Sequence, residues 1–181
     1  MVEEVENTLS EATFRQPAVS DGQTLWQMAT DSQVLDVNTS YAYLLWCRDF
    51  AKTSLIAEID GTPAGFVTGY LRPDEPEILM VWQVAVGAGF QQRGLAATML
   101  DELAARCCVQ GVETTVTEDN APSNRLFTRF AERHGAELTR TALFTPELYP
   151  DGHDTEYLYR IGPLGPGAAA RVPELAAAGI R

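Results

Sequence analysis

The fold follows from one stretch of the sequence, Val84-Ala85-Val86-Gly87-Ala88-Gly89-Phe90-Gln91-Gln92-Arg93-Gly94-Leu95-Ala96. Its first residues are apolar, as in a buried strand, and a tight turn carrying Gln-x-x-Gly-x-Ala leads into a helix. A turn of this kind directs several backbone N–H groups to one point at the positive end of the helix dipole. Gly94 and the small Ala96 allow phosphate oxygens to approach that point closely. The stretch therefore predicts a pyrophosphate-binding site.

The neighbouring sequence supports that interpretation over an ordinary strand-to-helix turn that merely needs a glycine. The strand before the turn is long and apolar, which is typical of a central strand. After the turn, apolar residues recur at every fourth position, at Leu95, Met99, Leu103 and Cys107, which predicts an amphipathic helix. The turn has neither the Gly-Lys-Ser/Thr of a P-loop nor the G-x-G-x-x-G of a dinucleotide-binding fold, so those two classes are excluded.

Composition and charge limit the class further. A chain of 181 residues with 45% hydrophobic content predicts one globular domain with a real core. No apolar run approaches the ~20 residues of a transmembrane helix, and the acidic N-terminal sequence has no signal-peptide pattern, so we expect a cytoplasmic protein. The three cysteines, Cys47, Cys107 and Cys108, have no spacing typical of a disulfide framework or a zinc site, and no metal is predicted.

The net charge of −12 argues against non-specific nucleic-acid binding, which depends on Lys and Arg. It also means that an anionic cofactor must be held by local N–H groups and the nearby Arg93. An acidic surface suits a cationic second substrate. Solubility, or adaptation to a salty cytoplasm, explains the same charge without a substrate.

Turn and capping signals divide the rest of the chain. Before the opening stretch the patterns predict a flexible acidic tail over 1–13, a first strand beginning at Phe14–Pro17, a helix after a capping box at Ser20–Gln23, a second helix from Ser40, and strands 54–59 and 64–71 joined at Asp60-Gly61. From there on they predict a strand over 77–86, a helix over 94–109, a strand over 112–117, a helix over 122–134 capped by Asn120, strands 138–144 and 156–161, and a flexible Gly/Pro/Ala-rich tail over 163–181.

The opening turn resembles motif A of the GCN5-related N-acetyltransferase superfamily, whose Q/R-x-x-G-x-G/A signature is filled here by Gln91, Gly94 and Ala96. Downstream, Asn120-Ala-Pro-Ser123-Asn-Arg-Leu126-Phe127 resembles the superfamily's N-x-x-A/S-x-x-L-Y element. Phe127 stands where many members have a tyrosine that protonates the departing thiolate. The order of the elements is also the superfamily's, so the resemblance covers residues 14–162. It implies an α/β fold, with a mixed central sheet flanked by helices and strands that splay at the acetyl-CoA site.

The same resemblance implies acetyl-CoA as cosubstrate. The residues that it places around the cofactor are Val84, Val86, Gln91, Gln92, Arg93, Gly94, Leu95, Ala96 and Asn120.

A narrower resemblance concerns the acceptor. Several segments are similar to the L-2,4-diaminobutyrate acetyltransferase family of ectoine biosynthesis, an osmoprotection pathway: 35–43, 81–86, 113–117, Leu143-Phe144, Gly152-His153 with Glu156, and 160–163. The implied reaction is acetyl transfer to the γ-amine of L-2,4-diaminobutyrate by direct attack in a ternary complex. The product is N4-acetyl-L-2,4-diaminobutyrate. The resemblance also implies a homodimer. The net charge and the lack of a long apolar run, for their part, predict no nucleic-acid or membrane partner.

Candidate residues for the acceptor follow from its two ammonium groups, which need carboxylates. Asp36, Tyr41, Trp82 and Thr115 are the expected substrate-binding residues, with Asp36 assigned to the α-amine. The expected general base is one of Glu113, His153 and Glu156, and the sequence does not choose among them. Plain alternatives are a turn or cap role for Asp36, a core role for Trp82 and a surface position for His153.

Two other functions stay open on the sequence alone. One is acetylation of another amine, such as a polyamine, a homologous diamino acid or a protein N-terminus. The other is a non-catalytic acetyl-CoA sensor, which Phe127 slightly favours. A thiol with a pKa of about 8.5 needs little help in leaving, however, so the missing tyrosine does not exclude an enzyme.

Overall fold

The structure is a computed structural model that describes residues 12–165. A mixed seven-stranded sheet has the order β1-β2-β3-β4-β5-β7-β6, and only β4 and β5 are parallel neighbours. The strands are β1 (Thr13–Arg15), β2 (Leu55–Ile59), β3 (Thr62–Leu71), β4 (Ile78–Val86), β5 (Gly111–Thr117), β6 (Glu137–Phe144) and β7 (Glu156–Gly162). The helices are α1 (Gly22–Ser32), α2 (Ser40–Asp49), α3 (Leu95–Cys107) and α4 (Ala121–His134). The predicted fold class is confirmed.

The sheet is covered by helices on both faces. On one face Leu79, Val81 and Val112 pack against α3 and α4 in the larger apolar core. On the other face Phe66 and Ala85 pack against α1 and α2 in a smaller core. The alternation of strand side chains produces this division, since neighbouring residues in a strand point to opposite faces.

The two parallel strands separate along their length. β4 pairs with β5 only through Ile78–Val81 and Gly111–Thr114. Beyond that point β4 continues beside β3, and β5 continues beside β7. The unpaired ends of β4 and β5 form a cleft, and this is the splay that the superfamily resemblance implies.

The predicted hairpin turn at Asp60-Gly61 and the predicted Asn120 cap of α4 are both present. Asp60 and Gly61 both have positive φ, +51° and +72°, as a two-residue hairpin turn requires. The Asn120 side chain caps α4 by accepting from the Ser123 N–H at 3.1 Å.

The predicted capping box at Ser20–Gln23 is wrong. α1 begins at Gly22 after a short 3₁₀ turn, and Asp21 makes no side-chain cap. The Asp21 carboxylate instead accepts from the Ala18 N–H and pairs with Arg15, both at 2.7 Å. Ser20 lies inside the 3₁₀ turn Val19–Asp21 and is therefore not the residue that flanks the start of α1.

The predicted tails extend beyond the described part of the chain, since 1–11 and 166–181 lie outside it. Among residues 12–165 no helix has the length and apolar character needed to cross a bilayer.

Candidate active site

A cavity of about 600 Å³ lies where the end of β4, the start of α3 and one face of α4 meet. We call it the cofactor cavity. Predicted cofactor residues that line it are Val84, Val86, Gln91, Gln92, Gly94, Leu95, Ala96 and Asn120. The loop between α1 and α2 closes one side through Ser32, Val34 and Leu35, which the sequence analysis did not assign to the cofactor.

The turn before α3 has the backbone geometry of an anion site. Gln92 and Gly94 adopt positive φ, +63° and +75°, and Gly94 precedes the helix without a side-chain cap. Within residues 12–165 the N–H groups of the first helical turn therefore have no side-chain cap, and they lie at the positive end of the helix dipole. The Gln91 side chain donates to the Val86 carbonyl at 3.3 Å and fixes the turn against the strand.

Arginines of α4 supply the positive charge. Arg125, Arg129 and Arg133 line the cofactor cavity, and Arg133 also pairs with Asp101 at 2.9 Å. Their spacing of four residues puts them on one helix face, a signal that the sequence analysis did not use. The predicted Arg93 is not among the lining residues, and its guanidinium lies 5.9 Å from the centre of the Phe90 ring.

A second group of side chains bridges the splayed strands. Two carboxylate oxygens, of Asp36 and Glu156, and one ring nitrogen of His153 all lie within 4.8 Å of one another. We call these three residues the acceptor cluster, after the acetyl acceptor. Asp36 lies in the loop between α1 and α2, and its backbone carbonyl accepts from the Gln83 side chain on β4 at 2.9 Å. Glu156 begins β7 and is paired with Thr117 at the end of β5. The cluster therefore spans the cleft between β4 and β5.

His153 is held in one orientation. Its Nδ1 lies 2.7 Å from the Asp154 carbonyl, which can only accept, so Nδ1 carries a proton. Its Nε2 lies 3.1 Å from Asp36 Oδ2 and 3.7 Å from Glu156 Oε1. The ring stacks on Tyr149, with centroids 4.5 Å apart. A hydrogen bond to the Asp154 carbonyl and, next in size, one to the Asp36 carboxylate raise the pKa of His153 above that of a free imidazole side chain.

Glu156 is the buried carboxylate of the acceptor cluster. Burial raises its pKa, while Thr115 and His153 oppose part of that shift. Within residues 12–165 its Oε2 is buried and has no hydrogen-bond partner. A carboxylate in this state accepts a proton or an N–H donor more readily than an exposed one.

Glu113 does not join the acceptor cluster. It is 1% exposed, and its two oxygens are bound by Arg72 at 3.2 Å and Arg160 at 2.9 Å. It is paired with Met80 where β4 and β5 are still together, away from the cleft. Its carboxylate is thus committed to a buried ion-pair network.

The remaining predicted residues lie in different surroundings. Trp82 stacks on Trp46 of α2, with centroids 4.0 Å apart. Tyr41 is 66% exposed on the same helix. Phe127 is buried in the larger core. Its phenyl ring has no acidic proton with which to assist the leaving thiolate.

The chain is similar in sequence to known acetyltransferases. The model of the acetyltransferase (GNAT) family matches residues 22–131. The chain is 57% identical to the L-2,4-diaminobutyric acid acetyltransferase of Streptomyces avermitilis over 154 residues, which are 82% of this chain and 86% of that protein. The chain belongs to the diaminobutyrate acetyltransferase family. The Nocardia farcinica member is 45% identical over 164 residues, covering 89% of this chain and 85% of the relative.

A solved diaminobutyrate acetyltransferase has the same fold. The Paenibacillus lautus protein, in complex with L-2,4-diaminobutyric acid and coenzyme A, superposes with a TM-score of 0.80 at 38% identity, covering 85% of this chain and 96% of that one. Ard1 from Thermoplasma volcanium, at 19% identity and a TM-score of 0.68 over 83% of this chain and 97% of its own, shares the fold alone.

Proposed function

We propose that this chain transfers the acetyl group of acetyl-CoA to the γ-amine of L-2,4-diaminobutyrate, giving N4-acetyl-L-2,4-diaminobutyrate for ectoine biosynthesis. The observation that carries the proposal is the acceptor cluster at the mouth of the β4–β5 cleft, beside a cofactor cavity, in a chain 57% identical to a named diaminobutyrate acetyltransferase. A cytoplasmic location is part of the proposal, since the reaction draws on acetyl-CoA.

The cofactor is held by backbone groups more than by side chains. The pyrophosphate binds the first-turn N–H groups of α3, and Arg125 and Arg129 neutralise phosphate charge along α4. The edge of β4 that faces β5 is unpaired beyond Val81, so its N–H and C=O groups are free to bind the pantetheine arm. A backbone N–H of Val84–Val86 stabilises the oxyanion that forms on the thioester carbonyl.

The acceptor is bound through its charges. The Asp36 carboxylate binds the α-ammonium and thereby directs the γ-nitrogen into the cleft. His153 and Glu156 face the γ-nitrogen, and Thr115 borders the same region through its hydrogen bond to Glu156. Trp82, next to Gln83 on β4, is the proposed wall of the pocket. Holding both reactants in the cleft supplies much of the rate gain by proximity.

The attacking amine must first lose a proton. With a lysine-like pKa of about 10.4, roughly one molecule in a thousand is free amine at pH 7.4. Neutral His153 accepts that proton at Nε2, and Asp36 and Glu156 stabilise the imidazolium. The γ-nitrogen then attacks the thioester carbon, and the C–S bond breaks as the thiolate leaves without a protein acid, because the thiol pKa is only about 8.5. The second proton that the nitrogen loses as the amide forms passes to solvent. This explains why Phe127 suffices at its position.

The pH dependence follows from His153. Because only the neutral ring accepts a proton, we expect kcat/KM for diaminobutyrate to rise with pH through the raised pKa of His153 and then to level off. Asp36→Asn removes the carboxylate charge whose hydrogen bond and electrostatic attraction help to raise this pKa, so the rising limb moves to lower pH. The pH profile of kcat/KM gives the position of the rising limb, and an NMR titration of the His153 ring in the free enzyme gives its pKa, for the unmodified protein and for Asp36→Asn. An unmoved limb and an unmoved titration in Asp36→Asn contradict this assignment.

A homodimer is also part of the proposal. β6 is an edge strand on which seven of eight residues are exposed. Leu143 and Phe144 at its end, and Leu148 in the turn that follows, are 39–66% exposed apolar residues. Such an edge commonly pairs or is covered. Light scattering after size exclusion should give twice the 19.8 kDa chain mass, and a monomer at micromolar concentration contradicts the dimer.

The function is tested by thiol release from acetyl-CoA with diaminobutyrate, ornithine, lysine, putrescine and a peptide. We expect kcat/KM for diaminobutyrate to exceed that for ornithine, one methylene longer, by roughly 10–200-fold. A better rate with another amine keeps the acetyltransferase and rejects the substrate. Coenzyme A binding without turnover of any amine supports a sensor instead.

A further inference from the structure

Gln83 is a buried amide on β4 that contacts the acceptor-binding loop. It is 5% exposed, and its Nε2 donates to the Asp36 carbonyl at 2.9 Å. The Asn38 side chain reaches the same carbonyl only at 3.4 Å. Since a carbonyl only accepts, the amide orientation is fixed, and its oxygen points elsewhere.

A strand irregularity puts Gln83 on the correct face. The β3–β4 register shifts between Thr68 and Gly69, so Trp82 has no partner in β3. Leu79 and Val81 belong to the larger core, and without the shift Gln83 would follow them to that face. After the shift Ala85 packs in the smaller core with α1 and α2, and Gln83 reaches the loop between those helices.

Within residues 12–165 the loop has few other anchors near Asp36, apart from the 3.1 Å contact of the Asp36 carboxylate with His153. Val34 is 56% exposed, Val37 is 45% exposed, and the Asp36 side chain is 87% exposed. Leu35 packs against the smaller core, and its N–H is held by Ser32 within the same segment. The bond from Gln83 is thus the polar link between Asp36 and the strand that continues into Val84 at the cofactor cavity.

The Gln83 side-chain amide does not serve to fill space in the core. The Gln83 Oε1 atom is buried and has no partner among residues 12–165, and a buried acceptor in that state lowers stability. Methionine has a similar size without that cost. What the Gln83 side chain contributes is its N–H group, which donates to the Asp36 carbonyl in the loop.

We propose that Gln83 is a positioning residue that sets the place of the Asp36 carboxylate relative to the acetyl group on β4. The proposal rests on the proposed function for its kinetic consequence, since Asp36 acts there as the anchor of the α-ammonium. It gives β4 two tasks: its backbone binds the cofactor, and one of its side chains places the acceptor.

The test is Gln83→Met, with Gln83→Asn as a second variant whose amide is too short to reach the loop. We expect KM for diaminobutyrate to rise about three- to tenfold, as loss of one hydrogen bond implies. KM for acetyl-CoA and kcat stay within twofold. Hydrogen exchange of the backbone amides over 33–38 becomes faster. Thr68→Val, which alters the buried hydroxyl near the Gln83 carbonyl, is the matched control and leaves both KM values unchanged.

Two results overturn the proposal: an unchanged KM for diaminobutyrate in both variants, or an equal rise in KM for acetyl-CoA. If the unmodified protein does not acetylate diaminobutyrate, the proposed function fails by itself. Hydrogen exchange then still decides the positioning role, because unchanged exchange over 33–38 in both variants rejects it without any substrate.

Discussion

Replacing His153 with glutamine is expected to lower kcat for diaminobutyrate acetylation by about 10²–10⁴-fold, the usual contribution of a positioned base. Glutamine fills similar space and retains hydrogen bonding, but it does not accept a proton near neutral pH. The rising limb of the pH profile should disappear in the same variant. KM for acetyl-CoA should stay within twofold, because His153 lies in the acceptor cluster and not in the cofactor cavity. Steady-state kinetics with each substrate varied measures both effects.

The chain offers its own control, since its other histidine is His134. That side chain is half-buried at the end of α4 and contacts Asp101 at 2.9 Å. His134→Gln should keep full kcat. A His153→Gln enzyme that retains more than a tenth of kcat contradicts His153 as the base and moves the role to Glu156 or to water.

Replacing Ala96 with aspartate should abolish useful cofactor binding without harming the fold. Ala96 lies in the first turn of α3 and lines the cofactor cavity. A carboxylate in the first turn is favourable for the helix itself because of the dipole. It repels a phosphate about 4 Å away by roughly 4 kcal/mol at an effective dielectric constant of about 20. We therefore expect coenzyme A to bind about 10²–10³-fold more weakly, as measured by titration calorimetry.

The matched control is Thr98→Asp on the same helix. Thr98 is exposed and is not among the residues that line the cofactor cavity. Both variants should melt at or above the temperature of the unmodified protein. If Ala96→Asp binds coenzyme A within fivefold of normal, the cofactor phosphates do not lie on the first turn of α3.

The turn geometry of the proposed cofactor site was predictable from the sequence because its residues are close together in the chain. Gln91, Gly94 and Ala96 lie within six residues, and a contiguous strand-turn-helix carries its geometry with it. The arginines of α4 were equally visible as a four-residue repeat. Their relation to the cofactor cavity depends on how α4 packs against α3, and a periodic pattern does not contain that information.

The acceptor cluster was beyond local reasoning. Asp36 and His153 are 117 residues apart, and only the closed sheet brings them together. The family resemblance named them, while spacing and composition did not. The alternation rule was right that Glu113 and Thr115 share a face, but it did not show that Arg72 and Arg160 bind the Glu113 carboxylate. The predicted capping box failed for a different reason, since a 3₁₀ turn over Val19–Asp21 contains Ser20 and α1 begins only at Gly22.

The most direct test of the central proposal is the NMR spectrum of the product formed from diaminobutyrate and acetyl-CoA. Anchoring of the α-ammonium by Asp36 predicts one product, acetylated at the γ-nitrogen, and a loss of that selectivity in Asp36→Ala together with a higher KM for diaminobutyrate. Acetylation at the α-nitrogen, or a mixture from the unmodified protein, contradicts the proposed arrangement of the acceptor in the cleft.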